Sequence, residues 1–351
     1  IFATMHHKQD IRALNYKQLE EFFLAHGEKK YRAKELTNWL YKKSVVNFAE
    51  MTDLKSGLVE FLESHFYINP ITIEKKQVSD DRTIKNAFKL HDGNIVEGVL
   101  IPSDNRVTAC VSSQVGCSLT CKFCATGKLD RIRNLEVGEI YDQVAIIKQQ
   151  SETHYNMPLS NVVFMGMGEP LLNYNNVLQA IEQLTSGQGL NMAPRRITVS
   201  TAGIAKMIKK LGDDEVNFNL ALSLHASNDK KRENIMPINE HNNLDALIKS
   251  LQYFYAKTKS VVMLEYIVFN NFNDELQDAE ELFQFAKQVP CKVNLIEYNS
   301  IGDSIYKNTS EEKLEAFQQY LYERDVFVTR RRSRGKDIDA ACGQLANKNL
   351  A

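Results

Sequence analysis

The spacing of hydrophobic residues changes twice along this 351-residue chain. Residues 1–70 carry apolar positions at helical spacing, such as Leu36 and Leu40, and predict a small helical accessory domain. Residues 71–105 alternate apolar and polar positions between turn signals, which predicts a connector of short antiparallel strands. Residues 106–351 show a third pattern, in which strand-like and helix-like segments follow one another and form the core domain.

This third pattern predicts the fold class. Repeated alternation of apolar strands with amphipathic helices builds a parallel sheet or barrel. The sequence therefore predicts an α/β protein, a partial (β/α)6 barrel with a small N-terminal helical domain. The predicted strands cover residues 107–112, 161–165, 196–200, 218–224, 261–269 and 291–298, and the clearest helices cover 137–149, 244–255, 276–287 and 311–322.

The charge balance restricts how the chain can bind an acidic partner. It has 43 Lys and Arg residues against 44 Asp and Glu, so such binding has to come from local clusters. One cluster lies in residues 29–43, where Tyr31, Trp39 and Tyr41 are interleaved with basic residues. This stretch could hold RNA phosphates and stack on bases, or it could be a solvated helix face with its aromatics in the core.

The sequence also indicates a compartment. It contains no apolar run of about 18 residues, the length of a membrane helix, and its first ten residues lack the apolar core of a signal peptide. Six cysteines are too few for a disulfide scaffold and are expected to act as ligands or catalysts in a reducing environment. We therefore expect a cytoplasmic protein with no membrane partner.

Three closely spaced cysteines, Cys117, Cys121 and Cys124, are the strongest chemical signal. A structural zinc site takes four protein ligands, so three thiolates leave one position open. In a 4Fe-4S cluster, that position lets one iron bind a substrate. The alternatives are a zinc loop completed by His225 and a stray disulfide. With Phe123 before the last cysteine, the motif resembles the radical S-adenosylmethionine (radical SAM) signature, which implies a 4Fe-4S cluster and SAM.

Polar residues follow several predicted strands, where the working loops of an α/β barrel lie. Gly168 and Glu169 follow the second strand, and the Glu169 carboxylate could accept hydrogen bonds from the ammonium group of SAM. Ser200, His225 and Asn299 occupy equivalent places after later strands. Alternatively, Ser200 and Asn299 could be ordinary residues of a turn or a helix cap.

The C-terminal segment combines four arginines at residues 330–334 with Cys342 beside Gly343. The arginines could neutralise phosphates, and the glycine could let the chain move the thiol. The alternative is a solvated terminal strand with a buried free cysteine.

Together these motifs resemble those of the bacterial radical SAM RNA adenine methyltransferases, the RlmN/Cfr family. The resemblance covers nearly the whole chain. It implies that Cys342 carries the methyl group, that Cys110 forms a transient disulfide with it, and that Glu97 acts as a base. The matching segments are 96–102, 110–124, 164–170, 223–225, 236–239 and 334–344, and the implied SAM contacts are Gly168, Glu169, Ser200, Ser223, Leu224, His225 and Asn299.

The resemblance also implies a reaction. The expected product carries a methyl group on carbon 2 of an adenine in 23S rRNA, and in tRNA as well. Each turnover would use two SAM molecules, an external electron donor would reset the enzyme, and we expect a monomer. Residues 99–105 and Val115 before Gly116 favour the carbon 2 branch. One departure is Gly98, where members usually have Thr or Ser, and this is expected to loosen the positioning of Glu97.

Three alternatives remain open at this stage. Methylation at carbon 8 would make the protein a Cfr-like antibiotic-resistance factor. A non-catalytic RNA-binding protein would use zinc at the cysteine triplet. A radical SAM enzyme with another substrate would leave the set of Cys110, Glu97 and Cys342 unexplained.

Overall fold

The computed structural model describes residues 8–302 and 305–347, so most of the segment examined for a signal peptide lies outside it. The N-terminal unit is helical, as predicted, with a two-stranded parallel ladder beside it. Trp39 and Tyr41 are buried, which places these two aromatic rings in the core, whereas Tyr31 is exposed. The elements are β1 Gln9–Asp10, α1 Tyr16–Ala25, α2 Tyr31–Thr37 continued by a π-helical turn at Asn38–Lys42, α3 Ser56–His65 and β2 Phe66–Tyr67.

A buried arginine, Arg12, forms an ion pair between this unit and the rest of the chain. The Arg12 guanidinium donates to both oxygens of Asp142 at 2.7 and 2.8 Å and also contacts Asp10. A Cβ atom at Gly138 would lie 2.3 Å from Arg12, so the helix that carries Asp142 needs a glycine there. Ion pairs between fully buried partners strongly destabilise a protein when one partner is removed.

One ten-stranded sheet forms the centre of the molecule, in the order β14-β13-β12-β11-β10-β9-β6-β5-β4-β3. Residues 72–110 enter it as an antiparallel meander, so the predicted connector strands extend the same sheet as the barrel. These strands are β3 Thr72–Val78, β4 Ile84–Lys89, β5 Ile95–Ser103 and β6 Arg106–Cys110. A separate short pair, β7 Gln114–Val115 and β8 Arg133–Asn134, flanks the cysteine triplet.

Seven strands of the sheet are parallel, and the predicted α/β partial barrel is confirmed. The sequence prediction missed the seventh, β14, because its arginines hide the strand alternation. The parallel strands after β6 are β9 Asn161–Phe164, β10 Ile197–Thr201, β11 Asn219–Ser223, β12 Val262–Ile267, β13 Cys291–Ile296 and β14 Val328–Arg331. The helices are α4 Val137–Tyr155, α5 Tyr174–Thr185, α6 Ala205–Asp213, α7 Asp229–Ile235, α8 Leu244–Thr258, α9 Leu276–Ala286 and α10 Glu311–Tyr322.

The segment after β14 connects the two edges of the open sheet. It leaves β14, one edge strand, and reaches the turn between β3 and β4 near the other edge, where the Gly335 amide donates to Asp81 at 2.8 Å. Ser79 donates to Asp337 at 2.5 Å in the same place. None of the helices within the described residues has both the length and the apolar character needed to cross a membrane.

Candidate active site

The barrel interior holds a cavity of about 880 Å³. Alternate residues of the parallel strands line it, because every second side chain of a strand points to the same face. The inward-facing side chains of each strand form a row from its amino end to its carboxyl end. At or near the amino ends lie Arg106, Asn161, Arg196, Asn219, Val261 and Lys292. Towards the carboxyl ends lie Cys110, Met165, Glu265, Ile296 and Arg331.

A smaller cavity of about 160 Å³ lies at the carboxyl ends of the strands. It brings together the cysteine triplet and most of the residues that the sequence suggested as SAM contacts. Its predicted members are Cys117, Cys121, Cys124, Gly168, Glu169, Ser200, Ser223 and His225.

The cysteine triplet has a donor chemistry that suits an iron–sulfur cluster. Burial raises the pKa of Cys117 to about 11 and also raises the pKa of Cys121 and Cys124. Buried thiols ionise only beside a strong positive charge, which a metal centre supplies. Within residues 8–302 and 305–347, no three His, Cys, Asp or Glu side chains converge closely enough to hold a single metal ion. Ligands of different iron atoms in one cluster lie further apart.

His225 does not fit the alternative of a zinc ligand. Its ring is buried, and its Nδ1 accepts a hydrogen bond from the Ile267 amide at 3.1 Å. Burial, with the nearby charge of Arg232, lowers the pKa of His225 to about 3, so the ring is neutral and its proton lies on Nε2. A histidine that binds zinc through one nitrogen normally donates from the other. The ring instead presents an N–H donor to the smaller cavity.

Glu169 ties two strand-end loops together. Its carboxylate accepts from the Leu171 amide at 3.1 Å and from the Ala202 amide at 2.8 Å. Burial raises its pKa to about 7. Gly168 has a φ of +93°, and a Cβ there would lie 2.4 Å from Gln114. The packing of Gln114 therefore excludes a side chain at this position.

Ser200 and Ser223 lie side by side on neighbouring strands, with their Oγ atoms 3.4 Å apart. Leu224 and Asn299 line neither cavity. The Leu224 side chain is fully buried in the core, and the Asn299 side chain donates to the Cys342 carbonyl at 3.2 Å. Asn299 therefore contacts the predicted methyl-carrier segment directly.

Cys342 lies at the junction of the two cavities, because it lines both of them. The residues that follow Cys342 are hydrogen-bonded to the loop that carries the cysteine triplet. The Ala125 amide donates to the Gly343 carbonyl at 2.7 Å, and the Thr126 hydroxyl donates to the Leu345 carbonyl at 2.6 Å. The thiol is thus held between the triplet and the barrel interior.

Cys110 lines only the larger cavity and is buried. Burial raises its pKa to about 12, and the charge of Cys342 adds to this effect while Arg331 opposes it. The pKa of Arg331 is itself raised, first by Cys342. Both cysteines are free thiols, and the charge of the half-buried Arg331 acts on both of them.

Glu97 lies outside both cavities in this conformation. It is 2% exposed, and its carboxylate lies 3.4 Å from the Lys85 ammonium. Its other oxygen accepts from the amides of Ala346 at 2.8 Å and Asn347 at 3.1 Å. The carboxylate therefore holds the end of the segment that carries Cys342.

The sequence reasoning missed Arg232 and Arg331. The Arg232 guanidinium is fully buried and donates to the carbonyls of Leu224 at 3.1 Å and Ala202 at 2.6 Å, which fixes two strand-end loops. Its side chain also donates to Asn239 at 2.9 Å, in a segment that the family resemblance included. Its helix, α7, is rich in charged residues, so the sequence pattern does not distinguish Arg232 from its neighbours. Arg331 was hidden in the basic run that surrounds it.

Known protein families and relatives match nearly the whole chain. The Ribosomal RNA large subunit methyltransferase N-terminal domain matches residues 9–68, and the Radical SAM superfamily matches residues 111–286. A probable dual-specificity RNA methyltransferase RlmN from Cytophaga hutchinsonii is 60% identical over 98% of this chain and 94% of that protein. The dual-specificity RNA methyltransferase RlmN from Geobacter sulfurreducens is 41% identical over 97% of this chain and 92% of that protein.

A solved structure gives the same result for the fold. The crystal structure of a radical SAM methyltransferase from Sphaerobacter thermophilus matches with a TM-score of 0.90 and 36% sequence identity. The match covers 98% of this chain and 100% of that chain, so the helical unit, the sheet and the C-terminal segment are all included.

Proposed function

The chain belongs to the RlmN family of radical SAM dual-specificity RNA methyltransferases, and we propose that it methylates carbon 2 of adenine in 23S rRNA and in tRNA. Radical SAM enzymes use a 4Fe-4S cluster and SAM. The observation that carries the proposal is the place of Cys342 at the junction of the two cavities. A thiol there can take a methyl group on one side and deliver it on the other.

In the proposed reaction, the Cys342 thiolate first attacks the methyl carbon of one SAM, so that an S-methyl group forms on Cys342 and S-adenosylhomocysteine leaves. When bound at the triplet, the cluster and a second SAM supply the radical chemistry that activates this S-methyl group. Cys342 then carries the one-carbon unit to the electron-poor carbon 2 of adenine and becomes linked to the RNA. The Cys110 thiolate attacks the Cys342 sulfur and breaks the bond between this sulfur and the one-carbon unit. That carbon takes up a proton and becomes the methyl group of the product, and a Cys110–Cys342 disulfide remains.

The proposed base, Glu97, has to leave its present partners before it acts. Its carboxylate holds the amides of Ala346 and Asn347 beside Lys85. Movement of the C-terminal segment would free it to take the proton from carbon 2. We propose that Gly168, Glu169, Ser200, Ser223 and His225 contact SAM in the smaller cavity, and that Leu224 supports them from the core.

We further propose a cytoplasmic monomer that receives two electrons per turnover from an external donor to reopen the Cys110–Cys342 disulfide. The reducing environment also preserves the free thiols of the triplet. Size-exclusion chromatography with light scattering would test the monomer against the mass of 40.1 kDa.

Mass spectrometry of nucleosides tests the main proposal. Iron-reconstituted protein is incubated without oxygen with reductant, SAM and either 23S rRNA or tRNA. We expect 2-methyladenosine in both RNAs, and none with the Cys342→Ala variant. 8-Methyladenosine would move the protein to the carbon 8 branch. SAM cleavage without any methylated adenosine would refute the RNA substrate.

A further inference from the structure

The larger cavity carries a strong local positive charge although the chain as a whole has a net charge of -1. Among the described residues, Glu265 is the only one with a carboxylate that lines it, and it lies in the carboxyl-terminal half of β12. The lining cations are Arg106, Arg195, Arg196, Lys292, Arg330, Arg331, Arg332 and Arg334.

Six of these arginines are exposed, and we call five of them the basic rim: Arg106, Arg195, Arg196, Arg332 and Arg334. The first three lie at the amino ends of β6 and β10, and the other two lie on the segment that runs from β14 to the turn between β3 and β4. Across the described ranges, no rim arginine forms an ion pair with a carboxylate. By contrast, Arg330 lines the same cavity but is neutralised by Glu311 at 2.6 Å.

The position of the rim indicates the ligand. At the inner end of the cavity lie Cys110 and Cys342, which have to reach the adenine ring. The target base therefore has to leave its stack and enter the barrel, while its phosphates stay outside. Guanidinium groups that form no ion pair with a carboxylate suit those phosphates, because arginine binds a phosphate with two parallel hydrogen bonds.

We propose that the basic rim binds the RNA phosphates next to the target adenosine, and that this nucleotide enters the barrel from the amino ends of the strands, opposite the cluster. The identity of the RNA rests on the proposed function. The N-terminal basic stretch is less suited to this task. Trp39 and Tyr41 are buried, and Lys43 is engaged by the Trp39 ring and by Asp53.

The test removes two charges from the rim and two from a matched surface. Arg195→Gln with Arg196→Gln changes the rim, and Lys206→Gln with Lys209→Gln removes the same charge from exposed positions of α6 that line no cavity. Iron-reconstituted full-length protein is titrated against a labelled hairpin RNA with an unpaired adenosine in its loop, over a series of NaCl concentrations.

We expect the rim variant to bind at least about 10-fold more weakly near 0.1 M salt, and its log–log salt slope to fall by about 1 to 2 for two lost phosphate contacts. The α6 variant should bind like the unaltered protein. Unaltered affinity and slope in the rim variant would overturn the proposal. So would a loss of affinity that appears only with Lys29→Gln and Lys30→Gln in the N-terminal unit.

Two further readouts separate this inference from the proposed function. Methylation of the Cys342 peptide by SAM, measured by mass without RNA, should be equal in the rim variant and the unaltered protein, which shows that the rim variant is folded and loaded. If the unaltered protein binds the hairpin through the rim but forms no 2-methyladenosine in any RNA, the inference that the rim binds RNA is supported and the proposed function is refuted.

Discussion

At the scale of single residues, the two thiols of the larger cavity have different expected roles. In the proposed reaction, Cys342 forms the bond to RNA and Cys110 breaks it. With Cys110→Ala, the covalent adduct between protein and RNA should therefore accumulate, because no thiol remains to attack the Cys342 sulfur. Denaturing gel electrophoresis with labelled RNA would measure it.

The controls use the other cysteines. Cys342→Ala should give no adduct, and neither should the double variant. Cys291 lies away from both cavities at the start of β13, so Cys291→Ala should behave like the unaltered protein. Equal adduct in Cys110→Ala and Cys342→Ala would contradict the assigned roles.

Sequence reasoning identified the types of these residues better than their contacts. The spacing of the cysteine triplet and the strand alternation around Cys110 fix which of these side chains face inward. Cys342 lies on no strand, and its role was predicted only from the family resemblance. The contacts of Glu97 could not be predicted in the same way, because its partner Ala346 lies 249 residues away in the sequence. Gly98 is explained by packing, since a Cβ there would lie 2.7 Å from the Phe88 ring.

At the scale of elements, the segment after β14 depends on the turn between β3 and β4 for its position. Asp81 accepts from the Gly335 amide, and Asp337 accepts from Ser79. Burial opposes ionisation of Asp81, but hydrogen bonds from Thr83 and Gly335 outweigh it and keep its pKa below the usual range. The Ser79 hydrogen bond lowers the pKa of Asp337.

A lowered carboxylate pKa gives the pH dependence a definite sign. The stabilisation is present above the ordinary carboxylate pKa of about 4 and is lost as the pH falls through the lower, folded values. We expect Asp81→Asn with Ser79→Ala to increase amide hydrogen exchange across residues 335–347 several-fold near pH 7. Asp104→Asn, in the exposed turn after β5, is the matched control. Equal exchange in all three proteins would show that the turn does not hold the segment.

The elements were predictable to different degrees. Six parallel strands were predicted because their apolar runs alternate with amphipathic helices. The seventh, β14, was not, since its sequence Val328–Arg331 has only one apolar residue. The joining of the antiparallel strands to the barrel sheet was also not predicted, because the change of pattern after residue 105 indicated a separate connector. The two parts are joined by the pairing of β5 with β6, where Pro102 lies opposite Val107.

At the scale of the whole molecule, the barrel separates two tasks. The triplet and the smaller cavity lie at the carboxyl ends of the strands, and Arg106, Arg195 and Arg196 lie at the amino ends. A five-residue strand such as β10 spans roughly 16 Å at about 3.3 Å per residue. Charges that far apart in salt solution interact weakly, because the Debye length is about 8 Å at physiological ionic strength.

Loss of the cluster should therefore leave RNA binding intact. We expect Cys121→Ala to lose the iron–sulfur absorbance and the cleavage of SAM, while its hairpin RNA affinity stays within about 2-fold of the unaltered protein with the same salt slope. Absorbance, SAM cleavage and RNA titration are measured on one preparation, with thermal unfolding as the check on folding. Adding the Arg195→Gln and Arg196→Gln changes should then weaken binding as much as in the cluster-loaded protein, because distant sites act additively. If Cys121→Ala folds but no longer binds RNA, the cluster end takes part in RNA binding and the separation of tasks is wrong.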